Sequence, residues 1–290
     1  MSIVVNTNIG SLNAQRSLAE SSRELATAME RLSSGKKINS AADDAAGFAI
    51  AERMTAQVRG LNMATKNAND GLAMLATIEN ATNDVTDMLQ RIRELAVQAA
   101  NDTNSADDRK YLQGEVDSLL NEINRVSSQT IYNNEAVLDG TRAGVLQVGT
   151  EASQTIDFNI SSIDTDELGL TSSAIGSGGA VSLVAASGVT AISVLTASGA
   201  ADALEDISAA IEQVAGDRAG YGALANRLEY TVSNLMNVAE FTTAARSRIE
   251  DADFAAESAR LAKAQVLQQT GTAMLAQANA SSQLAIQLIR

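Results

Sequence analysis

From Leu61 to Ala99, small and apolar residues recur every seven positions in two interleaved columns. One column holds Leu61, Ala68, Leu75, Thr82, Leu89 and Ala96; the other holds Ala64, Gly71, Ile78, Val85, Ile92 and Ala99. A strand cannot keep such residues on one side, because its side chains alternate with a period of two. Spacings of three and four instead mark the buried stripe of a helix packed on other helices as in a coiled coil. Ser40 and Asp43 have the S-x-x-D spacing of a capping box, so the predicted helix runs from about Asp44 to Ala100. At about 1.5 Å per residue it is a rod on the order of 85 Å long.

Such a rod needs partners, and the same chain supplies them. After the polar break NDTNSADD, the residues Leu112, Val116, Leu119, Ile123 and Val126 predict a second helix. Far downstream, Leu204, Ile207, Ile211, Val214, Tyr221, Leu228, Val232 and Leu235 predict a third. Near the start, Leu18, Leu25 and Leu32 predict a shorter helix that stops at Ser33-Ser34-Gly35. Between the second and third helices the period changes. Val145 to Val148 is apolar enough for a strand, and Ile156, Phe158 and Ile160 alternate with Asp157 and Asn159. With Asp139-Gly140 and GTEAS as turns, a small β-hairpin is expected. Residues 171–201 form a Gly/Ser/Ala/Val tract without a charge. It reads either as a flexible linker or as short strands at Val181–Val184 and Ile192–Val194. The fold class is therefore mainly α: a long helical coiled-coil rod with a small β-hairpin element.

The two ends differ from the rest. Met1 to Gln15 has no charged side chain, and neither does Ala264 to Ile289. In the second stretch Val266, Leu267, Met274, Leu275, Leu284 and Leu288 recur among small neutral residues. A helix of this kind is suited to close packing against other helices. Such tails are not expected to bury their stripes within one molecule, so their order should come from docking on neighbours. The formal charge of -14 argues against nucleic acid, which demands a dense Lys/Arg footprint. No stretch approaches the roughly 20 apolar residues of a membrane-spanning helix, and the first residues lack the features of a secretory signal peptide.

Catalysis has little to work with. The chain has no His and no Cys, which removes the imidazole base, the thiol nucleophile, the disulfide and the usual zinc ligands. Asp43-Asp44 is best read as carboxylates facing helix-start N–H groups. Asp102 to Asp107 lacks the glycine of a calcium loop at its sixth position, and Gln113 stands where the closing glutamate belongs. No enzyme, cofactor or metal is expected. On the long helix, a seam through Leu89, Ile92 and Ala96 puts Arg91, Glu94, Leu95 and Gln98 together on the opposite face. A solvated surface is the ordinary meaning of such a face, and an exposed Leu95 is its one oddity.

Several long segments resemble bacterial flagellins. NTNIGSLNAQRSL, RLSSGKKINSAADDAAGFAIAERM and LQRIRELAVQAAN follow one another in the N-terminal third. LANRLEY and ARSRIEDADFAAESARLAKAQVLQQTGTAMLAQAN follow in the C-terminal third, so the resemblance covers about two thirds of the chain. It implies a structural subunit that is exported unfolded by the flagellar type III apparatus and polymerises into the extracellular filament for swimming. Residues 1–43 with 251–290 would form the terminal coiled coil of the filament's inner core. Residues 44–170 with 202–250 would form the helical rod with its hairpin, and 171–201 a short, exposed variable segment. Leu18, Leu25, Leu32, Val266, Leu267, Met274, Leu275, Leu284 and Leu288 would then pack in that inner core. The implied partners are further copies of the chain, an export chaperone, the cap protein, hook-associated junction proteins and the vertebrate Toll-like receptor 5. Arg91, Leu95, Gln98 and Glu115 match the positions of subunit packing and receptor contact. Two alternatives share these ends: a hook-filament junction protein, or an adhesin or effector that travels through a type III apparatus.

Overall fold

The computed structural model describes residues 8–172 and 191–287. Its helices are α1 (Ile9–Ser34), α2 (Ala45–Ala99), α3 (Ala106–Gln129), α4 (Ala197–Glu250) and α5 (Phe254–Gln287). Among the described residues, six short strands lie between α3 and α4: β1 (Ile131–Tyr132), β2 (Glu135–Ala136), β3 (Ala143–Gln147), β4 (Thr155–Asn159), β5 (Thr171–Ser172) and β6 (Ala191–Ile192). Contacts divide the chain into two compact units, Met1–Arg59 with Ala239–Arg290 and Gly60–Val238. The cuts fall inside α2 and α4, some way from the helix ends at which the sequence suggested division.

In the second unit, all twelve heptad positions from Leu61 to Ala99 are buried. Thr82 is the one hydroxyl among them, and its Oγ1 donates to the Ile78 carbonyl at 2.9 Å, so no polar group is stranded in the seam. Helix α3 runs back beside α2: Arg91 meets Glu115, and Arg109 Nε donates to the Ala99 carbonyl at 2.9 Å. Helix α4 also runs antiparallel to α2. Gly71 faces Leu228, while Arg218 reaches Glu79 Oε1 through Nη2 at 2.6 Å and Thr86 Oγ1 through Nη1 at 3.3 Å. The resulting core gathers Ile78, Leu89 and Ile92 of α2, Val116, Leu120 and Ile123 of α3, and Ile207 and Val214 of α4.

The strands lie over this core. β3 and β4 pair antiparallel with Leu146 opposite Ile156, as the alternating pattern predicts. Asn67 Nδ2 donates to the Gln147 carbonyl at 3.1 Å, and a Cβ on Gly71 would come within 2.6 Å of Leu146 Cδ1. The absent side chain on Gly71 thus lets the hairpin sit close to α2. β1 and β2 are joined through Asn133 (φ 50°) and Asn134 (φ 66°), the doubly left-handed turn that twists with a hairpin.

Two expectations change here. Ser40 is not the helix N-cap; helix α2 starts after Asp44, whose Oδ1 accepts from the Ala46 and Gly47 N–H groups. Asp43 instead bends back, accepting from the Ser40 N–H at 2.9 Å in a turn that precedes the helix. The other change concerns 171–201. Val181–Val184 lies outside the described residues, but Ile192 and Val194 are buried, and α4 begins at Ala197. β6 pairs in parallel with β5, Thr171 against Ala191. Gln113 of α3 holds the following backbone, donating to the Ile192 carbonyl and accepting from the Val194 N–H at 2.7 Å. The end of the tract is core rather than exposed surface.

The first unit contains the pair α1 and α5. Asn8 caps α1 through the Ser11 N–H, and Gly35 ends it at φ 70° in the left-handed conformation that favours glycine. Asn8 Nδ2 also donates to the Ala278 carbonyl at 2.8 Å, and Arg31 lies beside Glu257, so the two helices are antiparallel. Lys36 bridges Asp251 backbone to backbone, and the Ala252 N–H donates to the Gly35 carbonyl at 2.9 Å. The seam of α1 is Leu18, Ser21, Leu25, Ala28 and Leu32; that of α5 is Glu257, Leu261, Ala264, Gln268, Gly271, Leu275 and Ala278. Both keep spacings of three and four, with large residues alternating with small. One stripe of each end is therefore partly covered by the other within a single chain, Ser21, Ala28, Glu257 and Ala264 fully and the leucines by half, while Val266, Leu267 and Met274 lie off it. The reason is the small residues, which let the other helix's leucines in, as Leu18 does against Gly271.

Candidate functional site

Two surfaces carry the residues singled out in the sequence. The first is on α2 and α3. Arg91 donates to Glu115 Oε1 through Nε at 3.0 Å and Nη2 at 2.8 Å, and to Glu94 Oε2 through Nη1 at 3.0 Å. Hydrogen bonding to Glu115, and then to Glu94, raises the Arg91 pKa above its ordinary value. Gln98 is exposed one turn further on, where its carbonyl accepts from Asn104 Nδ2 at 2.6 Å and anchors the α2–α3 turn. Ser105 and Asp108 then form a reciprocal capping box that starts α3.

Leu95 does not belong to this surface. It is 1% exposed and part of the core, while its neighbour Val97 is 57% exposed. The stripe on α2 is wider than two heptad columns because helices pack on it from two sides. Met74, Ala81, Met88 and Leu95 make a third column at seven-residue spacing, three of them buried and Met88 half-buried against the core. That column was available in the sequence and is the signal that places Leu95 inside.

The second surface is the outside of the α1·α5 pair. Leu18, Leu25, Leu32 and Leu275 lie at its inner seam and are half-buried there. Val266, Leu267 and Met274 point away from it, Met274 at 64% exposure, and Ile9, Leu12 and Met29 are exposed on α1. The side chains of Leu284 and Leu288 lie outside the described residues. A half-buried inner seam thus coexists with outward apolar side chains on both helices. Near the Gly35 end, Glu24, Arg31, Glu257 and Arg260 border a groove of about 470 Å³.

Charge separates sharply between the units. The sequence of the first contains twelve Lys or Arg and eleven Asp or Glu; that of the second contains nine and twenty-four. The acidity of the protein therefore resides between residues 60 and 238. Among the described residues no group of three or more acidic side chains could hold a metal ion, and no helix is long and apolar enough to cross a membrane. What the arrangement offers is exposed helix faces.

Comparison with known proteins finds relatives along nearly the whole chain. The profile of the bacterial flagellin N-terminal helical region matches residues 5–143, and that of the C-terminal helical region matches 204–289. Flagellin of Halalkalibacterium halodurans is 39% identical over 99% of this chain and 100% of its own length. That of Bacillus subtilis is 41% identical over 99% of each chain, and that of Listeria monocytogenes 41% identical over 98% of this chain and 99% of its own. Among solved structures, the crystal structure of Bacillus cereus flagellin is 26% identical, covering 59% of this chain and 88% of that one at a TM-score of 0.47. A flagellar hook-associated protein from Vibrio parahaemolyticus shares the fold at 16% identity and a TM-score of 0.56, covering 72% of this chain and all of its own.

Proposed function

The chain belongs to the bacterial flagellin family, and from that premise we propose how its surfaces build the filament. It is a structural subunit of the flagellar filament and not an enzyme. The junction-protein and adhesin readings are not favoured, since relatives named flagellin match along nearly the whole chain. In the proposal, residues 1–43 and 251–290 form the inner part of the polymer. Ile9, Leu12, Met29, Val266, Leu267 and Met274 dock on the end helices of neighbouring copies, while Leu18, Leu25, Leu32 and Leu275 hold each pair together. Leu284 and Leu288 extend the same packing. The observation that carries this reading is the outward apolar set on a pair whose facing seam is already occupied by other residues. Contacts that repeat head to tail without closing give a helical polymer from one kind of subunit.

The same apolar faces suit the export chaperone before assembly and the cap and hook-associated junction proteins at the filament ends. Arg91, Gln98 and Glu115 form the exposed face that packs on the next subunit and that a vertebrate Toll-like receptor reads on free monomer. Leu95 supports that face from beneath.

Assembly tests the main point. Monomer released by heat or acid and returned to neutral pH with a seed should form long helical filaments under the electron microscope, whereas Val266→Lys with Met274→Lys should leave monomer with its helical circular dichroism retained. Normal filaments from that variant would remove the docking role. For the receptor, Arg91→Ala and Glu115→Ala should each lower signalling by monomer about tenfold, the scale of losing a central contact. Unchanged signalling from both variants would assign recognition elsewhere.

A further inference from the structure

The charge of α5 gathers in one place. Between Phe254 and Gln287 the charged residues are Glu257, Arg260 and Lys263, whose spacing of three brings them to one side of the helix. All of them line the groove of about 470 Å³ on the α1·α5 pair. On α1, four of the six charged residues, Glu20, Arg23, Glu24 and Arg31, line it from the facing wall. Away from the groove the two helices carry only Arg16 and Glu30 as charges, so the rest of the pair is neutral or apolar.

Within the groove the cations on the α5 side are under-compensated. Glu257, 5% exposed, is shared by two guanidinium groups: Arg31 Nη1 lies 3.9 Å from Oε1, and Arg260 Nη1 lies 3.2 Å from Oε2. Among the described residues, Arg31 Nε is buried with no hydrogen-bond partner. Arg260, whose side chain is 64% exposed, makes no hydrogen bond there other than the one to Glu257. Lys263 is exposed and has no ion pair among the described residues, and the same holds for Arg23, Glu20 and Glu24 on the other wall. Arg31, Arg260 and Lys263 thus share one carboxylate. A second carboxylate arriving from outside would find N–H donors on both Arg260 and Lys263, and such charge-assisted hydrogen bonds are stronger than neutral ones.

We propose that this groove, through Arg260 and Lys263, receives an acidic side chain of a neighbouring copy in the filament. The contact rests on the polymer proposed above and adds to it the group that sets where one copy docks on the next. Charge complementarity points to a second copy as the occupant. Its stretch from Gly60 to Val238 alone has twenty-four Asp or Glu against nine Lys or Arg, so every neighbour offers carboxylates in excess. The outward Val266, Leu267 and Met274 give burial, which is non-directional and tolerates displacement along the helix. A charged pair is met at one place only, and so gives position and partner choice more than affinity.

The test uses filaments, in which the end helices are held as the polymer holds them. Filaments grown from a mixture of isotopically light and heavy chain are treated with a carbodiimide, which condenses an amine with a touching carboxylate. Mass spectrometry should then find Lys263 joined to Asp or Glu in peptides of mixed isotope, which only two different copies can yield. Lys263 joined solely to Glu20, Glu24 or Glu257 of its own chain, or left unjoined, would overturn the contact. Lys263→Glu should raise the monomer concentration in equilibrium with filament about threefold to tenfold, an effect that shrinks as salt is added, whereas Lys263→Arg stays near the parent value. An unchanged concentration in Lys263→Glu would also overturn it. If the parent chain forms no filaments, the docking role of the end pair fails and this contact with it; normal filaments without the cross-link between copies remove this contact alone.

Discussion

Leu95 and Val97 stand two residues apart and should respond to substitution in opposite ways. Leu95 is enclosed by α2 and its packing partners, so Leu95→Ala should cost about 2–5 kcal/mol through lost burial and a residual cavity. Val97→Ala, on the exposed side, should stay within about 0.5 kcal/mol. Urea unfolding of the two variants compares them directly, and similar losses would contradict the placement of Leu95. At the start of α3, the Asp108 carboxylate is held below the ordinary 3.8, first by the Ser105 hydroxyl and then by the Ser105 N–H. A folded-state pKa below the unfolded one means support for the helix that is present above the ordinary value and lost as pH falls through the folded one. An NMR titration should place the Asp108 midpoint under 3.8, and Ser105→Ala should move it back up. No shift in that variant would break the link. Asp206 has the opposite sign: burial, then Glu205 and Asp202, raise its pKa, so its charge opposes folding at neutral pH and protonation relieves it.

At the level of elements, Gln113 shows what a helix can do beyond presenting an apolar stripe. Its buried amide binds the backbone at Ile192 and Val194, much as a neighbouring strand would. Gln113→Leu keeps the side chain's bulk but leaves those groups without partners, and should cost about 1–3 kcal/mol. Faster amide exchange at Val194 in the variant would locate the loss; unaltered exchange there would contradict it. This also marks the boundary of what the sequence discloses. The α2 heptads, the stop at Gly35 and the β3·β4 pairing are local signals with a fixed period or a single special residue, and they were readable. The seating of Ile192 and Val194 depends on a glutamine about 80 residues away, which no local period encodes. On the proposed assembly surface, Arg91, Gln98, Val266, Leu267 and Met274 are exposed as the sequence suggested, whereas Leu95 is not, because the width of a buried stripe depends on how many helices share it. The pairing of the two ends was expected from the resemblance, with Leu18, Leu25, Leu32 and Leu275 in it; the small residues opposite them, Ser21, Ala28, Gly271 and Ala278, are individually unremarkable and become informative only as a pair.

For the whole chain, the pairing of its ends sets the effect of truncation. Because α1 packs along α5, removing residues 264–290 takes away most of what its first half leans on. The shortened chain should fail to polymerise and should lose helical circular dichroism beyond that of the deleted residues, while the Gly60–Val238 unit keeps its cooperative unfolding. A signal reduced only by the deleted segment would mean that α1 is helical without its partner.

The division of charge reaches further than any one subunit. A polymer of this chain carries, for every copy added, fifteen more acidic than basic groups in the stretch from Gly60 to Val238. It is thus a polyelectrolyte, surrounded by a cloud of mobile cations whose thickness is about 8 Å at physiological ionic strength. Neighbouring fibres would repel one another as colloidal particles do, staying dispersed when crowded side by side, and multivalent cations would bundle them by collapsing that cloud.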